Sequence, residues 1–246
     1  MSGSKNSFSI GDDWDVNSVV ELELFVSETR GILIKEIYPG GVLKDDESGA
    51  YTYDQYIILT NNSDVSIDVS KLGLTCINPY NSNTVNNKDY VNGKLFYEDE
   101  GWIPYGMAIW YLTRTRELDQ GEGLVIALNN AIDNTITYSQ SINYANSKYY
   151  CTYDPESGFN NAKYYSAPAY QIDPSHYLKA YRASLGNAWV ASQTSPAFFI
   201  FFPEGTTLKA FDEDQSTTSY YGDSQNQGRK KVPTEWILDG VEVYSS

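Results

Sequence analysis

The stretch from Gly31 to Asp64 constrains the fold more than any other part of the chain. Ile32-Leu33-Ile34-Lys35-Glu36-Ile37-Tyr38 and Asp54-Gln55-Tyr56-Ile57-Ile58-Leu59-Thr60-Asn61-Asn62 both carry runs of β-branched and aromatic residues. Pro39-Gly40-Gly41 separates them, and it breaks regular structure because proline lacks an amide donor and glycine turns freely. Two such runs around such a break read as paired strands. More strand candidates follow at Ser66 to Val69, Leu72 to Ile77, Met107 to Leu112, Leu124 to Leu128, Trp189 to Ala191, Ala197 to Phe202, Lys209 to Phe211 and Trp236 to Tyr244. Each is short and bounded by Gly, Pro, Asn or Asp. The helix-like pieces are brief, near Ala131 and from Pro174 to Tyr181. The pattern predicts an all-β domain, an antiparallel β-sandwich with long loop insertions.

With 246 residues the chain is long enough for a core that needs no metal or disulfide staple. An aromatic share of 15%, most of it tyrosine, supplies apolar area with polar tips. The net charge of −15 repels phosphate backbones and argues against a nucleic-acid partner. Arg229-Lys230-Lys231 is the one basic cluster, and it reads as a solvated loop. No apolar run reaches the length needed to cross a bilayer as a helix. Cys76 and Cys151 lack zinc-ligand spacing, so they either pair or stand as buried thiols. Residues 1–30 read as an added start, a polar acidic linker and a period-two segment, Val19 to Val26. That segment would be the first strand of this domain or the end strand of one upstream.

From Ile34 to Gly40, Asp54 to Asp64 and Ile67 to Leu74, the order of motifs resembles the opening strands of lamin-tail-like domains. Leu118 to Ala127 and the closing Asp239-Gly240-Val241 are similar to later elements of the same domain. The resemblance covers residues 31–244 and implies an immunoglobulin-like sandwich. More narrowly, it is to uncharacterised surface or periplasmic lipoproteins of Bacteroidetes. It therefore implies an extracytoplasmic place at the bacterial surface or in the periplasm, with a lipid anchor upstream. It carries over no catalytic residues. The two long insertions, and the absence of the usual proline near Gly121, depart from the family pattern.

Those insertions, Asn78 to Gly106 and Tyr138 to Asp173, are rich in Asn, Tyr and Ser and are where a site is expected. Aromatic residues cluster at Trp102-Ile103-Pro104-Tyr105, Trp110-Tyr111, Tyr149-Tyr150, Tyr164-Tyr165 with Tyr170, and Tyr220-Tyr221. Exposed rings beside amides suit a glycan or an extended peptide, so Trp102, Tyr105, Tyr149, Tyr150, Tyr164, Tyr165 and Tyr170 form the candidate ligand-binding set. The same rings also serve as ordinary core and loop filler. A neighbouring outer-membrane protein is a further candidate partner.

A hydrolase can be assembled from Gly222-Asp223-Ser224 and Asp173-Pro174-Ser175-His176, but the chain order is inverted and the α/β sheet such a triad needs is missing. The competing reading has Asp173 capping a turn with His176 at its side. Acidic clusters such as Asp45-Asp46-Glu47, Glu98-Asp99-Glu100 and Asp212-Glu213-Asp214 read as solvated loops. One calcium ion is the cation they would suit, though no Asp-x-Asp-x-Asp-Gly loop is present; no other cofactor is expected. Glu36 shares a strand face with Ile34 and Tyr38, which predicts a buried, hydrogen-bonded carboxylate. The resulting expectation is a non-catalytic extracytoplasmic binding domain. The alternatives are a carbohydrate-active or ester hydrolase using loop carboxylates or His176, and a structural spacer.

Overall fold

The computed structural model describes residues 31–77, 90–105, 107–129, 131–165, 171–183, 186–220 and 228–243. The all-β expectation holds. Twelve strands carry the architecture: β1 (Ile32–Tyr38), β2 (Tyr56–Asn61), β3 (Gly73–Cys76), β4 (Trp102–Tyr105), β5 (Ala108–Tyr111), β6 (Gly123–Ala127), β7 (Tyr150–Thr152), β8 (Tyr177–Arg182), β9 (Ala197–Phe201), β10 (Thr218–Ser219), β11 (Arg229–Pro233) and β12 (Ile237–Glu242). One short helix, α1 (Leu208–Glu213), lies between β9 and β10.

Nine strands form one sheet in the order β1-β2-β6-β7-β8-β5-β3-β9-β12. The predicted pair β1 and β2 runs antiparallel, with Ile32 opposite Asn61 and Tyr38 opposite Tyr56. Gly40 and Gly41 take φ of 85° and 121° in the break between them, which favours glycine. The sheet is mixed rather than wholly antiparallel, because β7 runs parallel to both its neighbours, β6 and β8. Its outer strands, β1 and β12, come into contact with each other. Asp239 on β12 reaches across, and its Oδ2 accepts a hydrogen bond from Ile34 N at 2.8 Å. The sheet is thereby curled almost into a barrel.

The interior of the curl is the main core. Alternate residues point into it: Ile32 and Ile34 from β1, Ile57 and Leu59 from β2, Leu124 and Ile126 from β6. Trp110, Leu74, Phe198 and Ile200 fill it from the opposite side. A second core lies on the outer face of β5 and β9, where Ile109, Phe199 and Phe201 meet Tyr105, Leu208, Phe211 and Val232. A three-stranded sheet, β10-β11-β4, covers that face together with α1. Strand β9 is thus buried on both sides, which is why Ala-Phe-Phe-Ile-Phe shows no alternation. Gly73 on β3 permits this close packing, since a Cβ there would lie 2.6 Å from the Phe201 ring.

Several local expectations are corrected. Lys209 to Phe211 is helix rather than strand: Thr207 caps it, its Oγ1 accepting from Ala210 N at 3.1 Å, and Leu208 and Phe211 bury one face at helical spacing. Only Pro174–His176 forms a helical turn in the next segment, and Tyr177–Arg182 continues as a sheet strand. Trp102–Tyr105 and Tyr150–Thr152, both assigned to long loops, are strands. Trp189 to Ala191 is buried but is not a strand. Glu36 is exposed, because a register shift between Ile34 and Glu36 interrupts the alternation of β1; its carboxylate instead accepts from the Tyr56 hydroxyl. Cys76 and Cys151 are buried thiols rather than a disulfide. Burial pushes the Cys151 thiol far above its ordinary pKa, so it is no nucleophile in the folded chain. The strand-like segment Val19 to Val26 lies outside the described residues.

Candidate functional site

A cleft of about 800 Å³ opens between the sheet and α1. Its wall is a pair of tyrosines. On the β5–β8 pair Tyr111 lies opposite Lys179 and Ile109 opposite Tyr181, which makes Tyr111 and Tyr181 diagonal neighbours on one sheet face. Their rings stack with centroids 4.5 Å apart and planes 13° from parallel. Burial pushes the Tyr181 phenol above its ordinary pKa, and its hydrogen bond with Tyr111 adds to this.

Ile67, Phe202, Pro203 and Leu208 supply the rest of the apolar lining. The polar rim holds Ser66, Ser70, Thr206 and Thr207, with Lys71 and Lys209 as the cations. Lys71 closes the helical turn Val69–Lys71, which Asp68 caps by accepting from Ser70 N at 2.9 Å. Lys209 sits on exposed α1, 3.8 Å from Glu213. Such a volume falls within the roughly 300–1,000 Å³ of small-molecule sites.

The predicted aromatic set is not gathered in one place. Tyr105, Tyr150 and Tyr165 are buried. The Tyr105 hydroxyl donates to Asp212 Oδ1 at 3.3 Å, and the Tyr165 hydroxyl accepts from Trp189 N at 3.0 Å. Tyr150 stacks on His176 at 4.3 Å. Half-buried Trp102 packs against Phe96 and Tyr97 at 5.8 and 5.9 Å. Tyr149 lies by Tyr144. Tyr164 joins a row of rings running Tyr138–Tyr51–Tyr53–Tyr164, with Lys163 Nζ 5.4 Å from its centre. Tyr170 lies outside the described residues, as does Ser224 of the hydrolase pattern. The other half of that pattern is structural: Asp173 Oδ1 accepts from Ser175 N and Oγ, and His176 Nδ1 lies 3.1 Å from the Tyr149 carbonyl. Among the described residues no group of three or more His, Cys, Asp and Glu is placed to hold a metal.

Near the tyrosine row, Asp54 is wholly buried. Its Oδ2 accepts from Ser141 Oγ at 2.8 Å, while Oδ1 has no hydrogen-bond partner. Burial raises its pKa, against the lowering effect of Ser141 and the backbone amides of Asp54 and Gly41. The pKa values of Tyr38, Tyr51 and Tyr144 rise, first through burial and then through the charge of Asp54. A carboxyl with a raised folded-state pKa holds its proton where the unfolded chain has released it, so stability is greatest below the unfolded value and falls as pH rises towards the folded one. Asp54→Asn removes that loss. It is expected to be more stable than wild type at pH 7, with the gap closing as pH falls into the ordinary carboxylate range. Urea titrations across that range test this, and identical pH slopes for the two proteins would refute it.

A family model described as "Protein of unknown function (DUF4876)" matches residues 119–246, just over half of the chain. The chain belongs to the DUF4876 family. The matched region holds Tyr181, Phe202 and Lys209 of the cleft, while Tyr111, Lys71 and Asp68 precede it. A crystal structure of a DUF4876 family protein from Bacteroides thetaiotaomicron VPI-5482 superposes with a TM-score of 0.64 at 20% sequence identity. The match covers 86% of this chain and 53% of that one, so this chain spans about half the length of that DUF4876 protein. At this identity the likeness is one of fold. No curated protein matches the chain.

Sequence reasoning missed Tyr181, Lys71, Lys209 and Phe202. Of the cleft wall, only Tyr111 stood within a noted aromatic cluster. The available signal was the alternation across Lys179 and Tyr181, which becomes visible once Tyr177–Arg182 is read as strand.

Proposed function

We propose that this chain is a non-catalytic, extracytoplasmic binding domain of a bacterial cell-surface lipoprotein, and that it holds its ligand in the Tyr111–Tyr181 cleft. The observation that carries this reading is the cleft itself, an 800 Å³ opening walled by two stacked tyrosines. The role of the single histidine supports it further, since His176 is held by Tyr149 and Tyr150 within the fold. The lipoprotein and surface assignments rest on the lamin-tail resemblance. So does the finer fold reading, an immunoglobulin-like sandwich of lamin-tail type. It is supported by the two halves of the curled sheet sharing one core, which brings Ile32 and Leu59 into the same cluster as Trp110 and Phe198.

The test is a panel of soluble oligosaccharides titrated calorimetrically against wild type and Tyr181→Ala. Wild type is expected to bind at least one probe without consuming it, and the variant to bind it at least roughly tenfold more weakly. Turnover of a bound probe, or binding indifferent to Tyr181→Ala, would overturn the reading. For the compartment, the full-length protein is expected to incorporate palmitate and to be cleaved by protease added to intact cells. Recovery in the cytosol alone would refute it.

A further inference from the structure

We infer that the cleft takes a carboxylated glycan, a short chain of sugar rings bearing uronic-acid carboxylates. This rests on the cleft being the binding site, as proposed above. Its charged lining consists of Asp68, Lys71 and Lys209, so cations outnumber anions there in a chain whose net charge is −15. Asp68 is already engaged, with Oδ1 accepting from Ser70 N at 2.9 Å and from Arg116 N at 3.4 Å. Lys71 and Lys209 are exposed, and the one ion pair of Lys209, to Glu213, is loose at 3.8 Å and open to water. A ligand carboxylate entering the cleft therefore meets two ammonium groups against one lining carboxylate, Asp68, whose Oδ1 is already held by backbone amides.

The rest of the lining suits a sugar body. The apolar C–H face of a pyranose ring matches a tyrosine ring, and the stacked pair gives a flat wall against which it can lie. Hydroxyls from Ser66, Ser70 and Thr206 stand at the rim, where sugar hydroxyls need both donors and acceptors. A purely aliphatic chain would leave that rim without partners, and a neutral sugar would make no use of the charge on either lysine.

The experiment titrates the protein with three probes: a trigalacturonate, the neutral trigalactose of matching length, and a pentaglutamate peptide. The trigalacturonate is expected to bind at least tenfold more tightly than either other probe. Lys71→Gln with Lys209→Gln is expected to weaken it roughly tenfold, the combined effect of two exposed pairs, and to leave the melting temperature unchanged. Equal binding of trigalacturonate and trigalactose, both lost in Tyr181→Ala, would overturn the carboxylate inference and leave the cleft as the site. Binding of the acidic sugar that survives Tyr181→Ala would overturn the site as well. Preference for pentaglutamate, or no binding of trigalacturonate, would also overturn the inference.

Discussion

Trp110→Ala is expected to destabilise the protein by about 3–5 kcal/mol, the largest loss any single core truncation should cause here. Trp110 is fully buried at the centre of an aromatic chain, 5.0 Å from Phe159 and 5.7 Å from Trp189, which in turn packs 5.3 Å from Phe198. Removing it opens a cavity that rigid neighbours on three sides cannot close. Its Nε1 has no hydrogen-bond partner, so Trp110→Phe should cost clearly less than the alanine change, because it sheds an unsatisfied donor along with part of the ring. Guanidinium titrations should show a lower midpoint at unchanged slope. A loss below about 1 kcal/mol for Trp110→Ala would mean that the core around it is loosely packed.

Gln55→Ala is expected to cost about 2–4 kcal/mol, although glutamine is a polar residue at the start of a strand. The side chain is buried and acts as a stitch between three parts of the chain. Its Nε2 donates to the carbonyls of Pro39 and Ala191 at 2.8 and 2.9 Å, and its Oε1 accepts from Ala191 N at 3.0 Å. The amide thus imitates a backbone partner for a segment that no strand pairs. Alanine leaves two carbonyls and an N–H without partners in a dry setting, and the costs add incompletely because the loop can shift towards water. Hydrogen exchange at Ala191 should speed up in step with the loss of stability. Protection unchanged at that amide, with a stability loss under about 0.5 kcal/mol, would show that the stitch is replaceable.

How much of this was legible depended on whether neighbours in space were also neighbours in sequence. β1 and β2 were readable because both are rich in β-branched and aromatic residues and a Pro-Gly-Gly break opens the connection, residues 39–55, between them. β7 was not: Tyr150–Thr152 is three residues long inside a Tyr- and Asn-rich segment, and its parallel partners β6 and β8 are fixed only by the finished sheet. Glu36 was misplaced because a bulge leaves no mark in a pattern of period two. Lys209 to Phe211 looked like a strand because three residues fit either period, and its cap, Thr207, lies just outside them. The cleft was the least legible feature. It draws Lys71, Tyr111, Tyr181 and Lys209 from four separate segments, none of which carries a motif of its own.

The bond from Ile34 N to Asp239 bears on how such a chain behaves in company. A broad sheet normally ends in two rows of vacant amides and carbonyls that a stray strand can copy, and proteins must hide them. Here each margin of the sheet is the other's cover, so concentrated samples should stay dispersed even where Lys35, the lysine on the outer strand β1, is replaced by threonine.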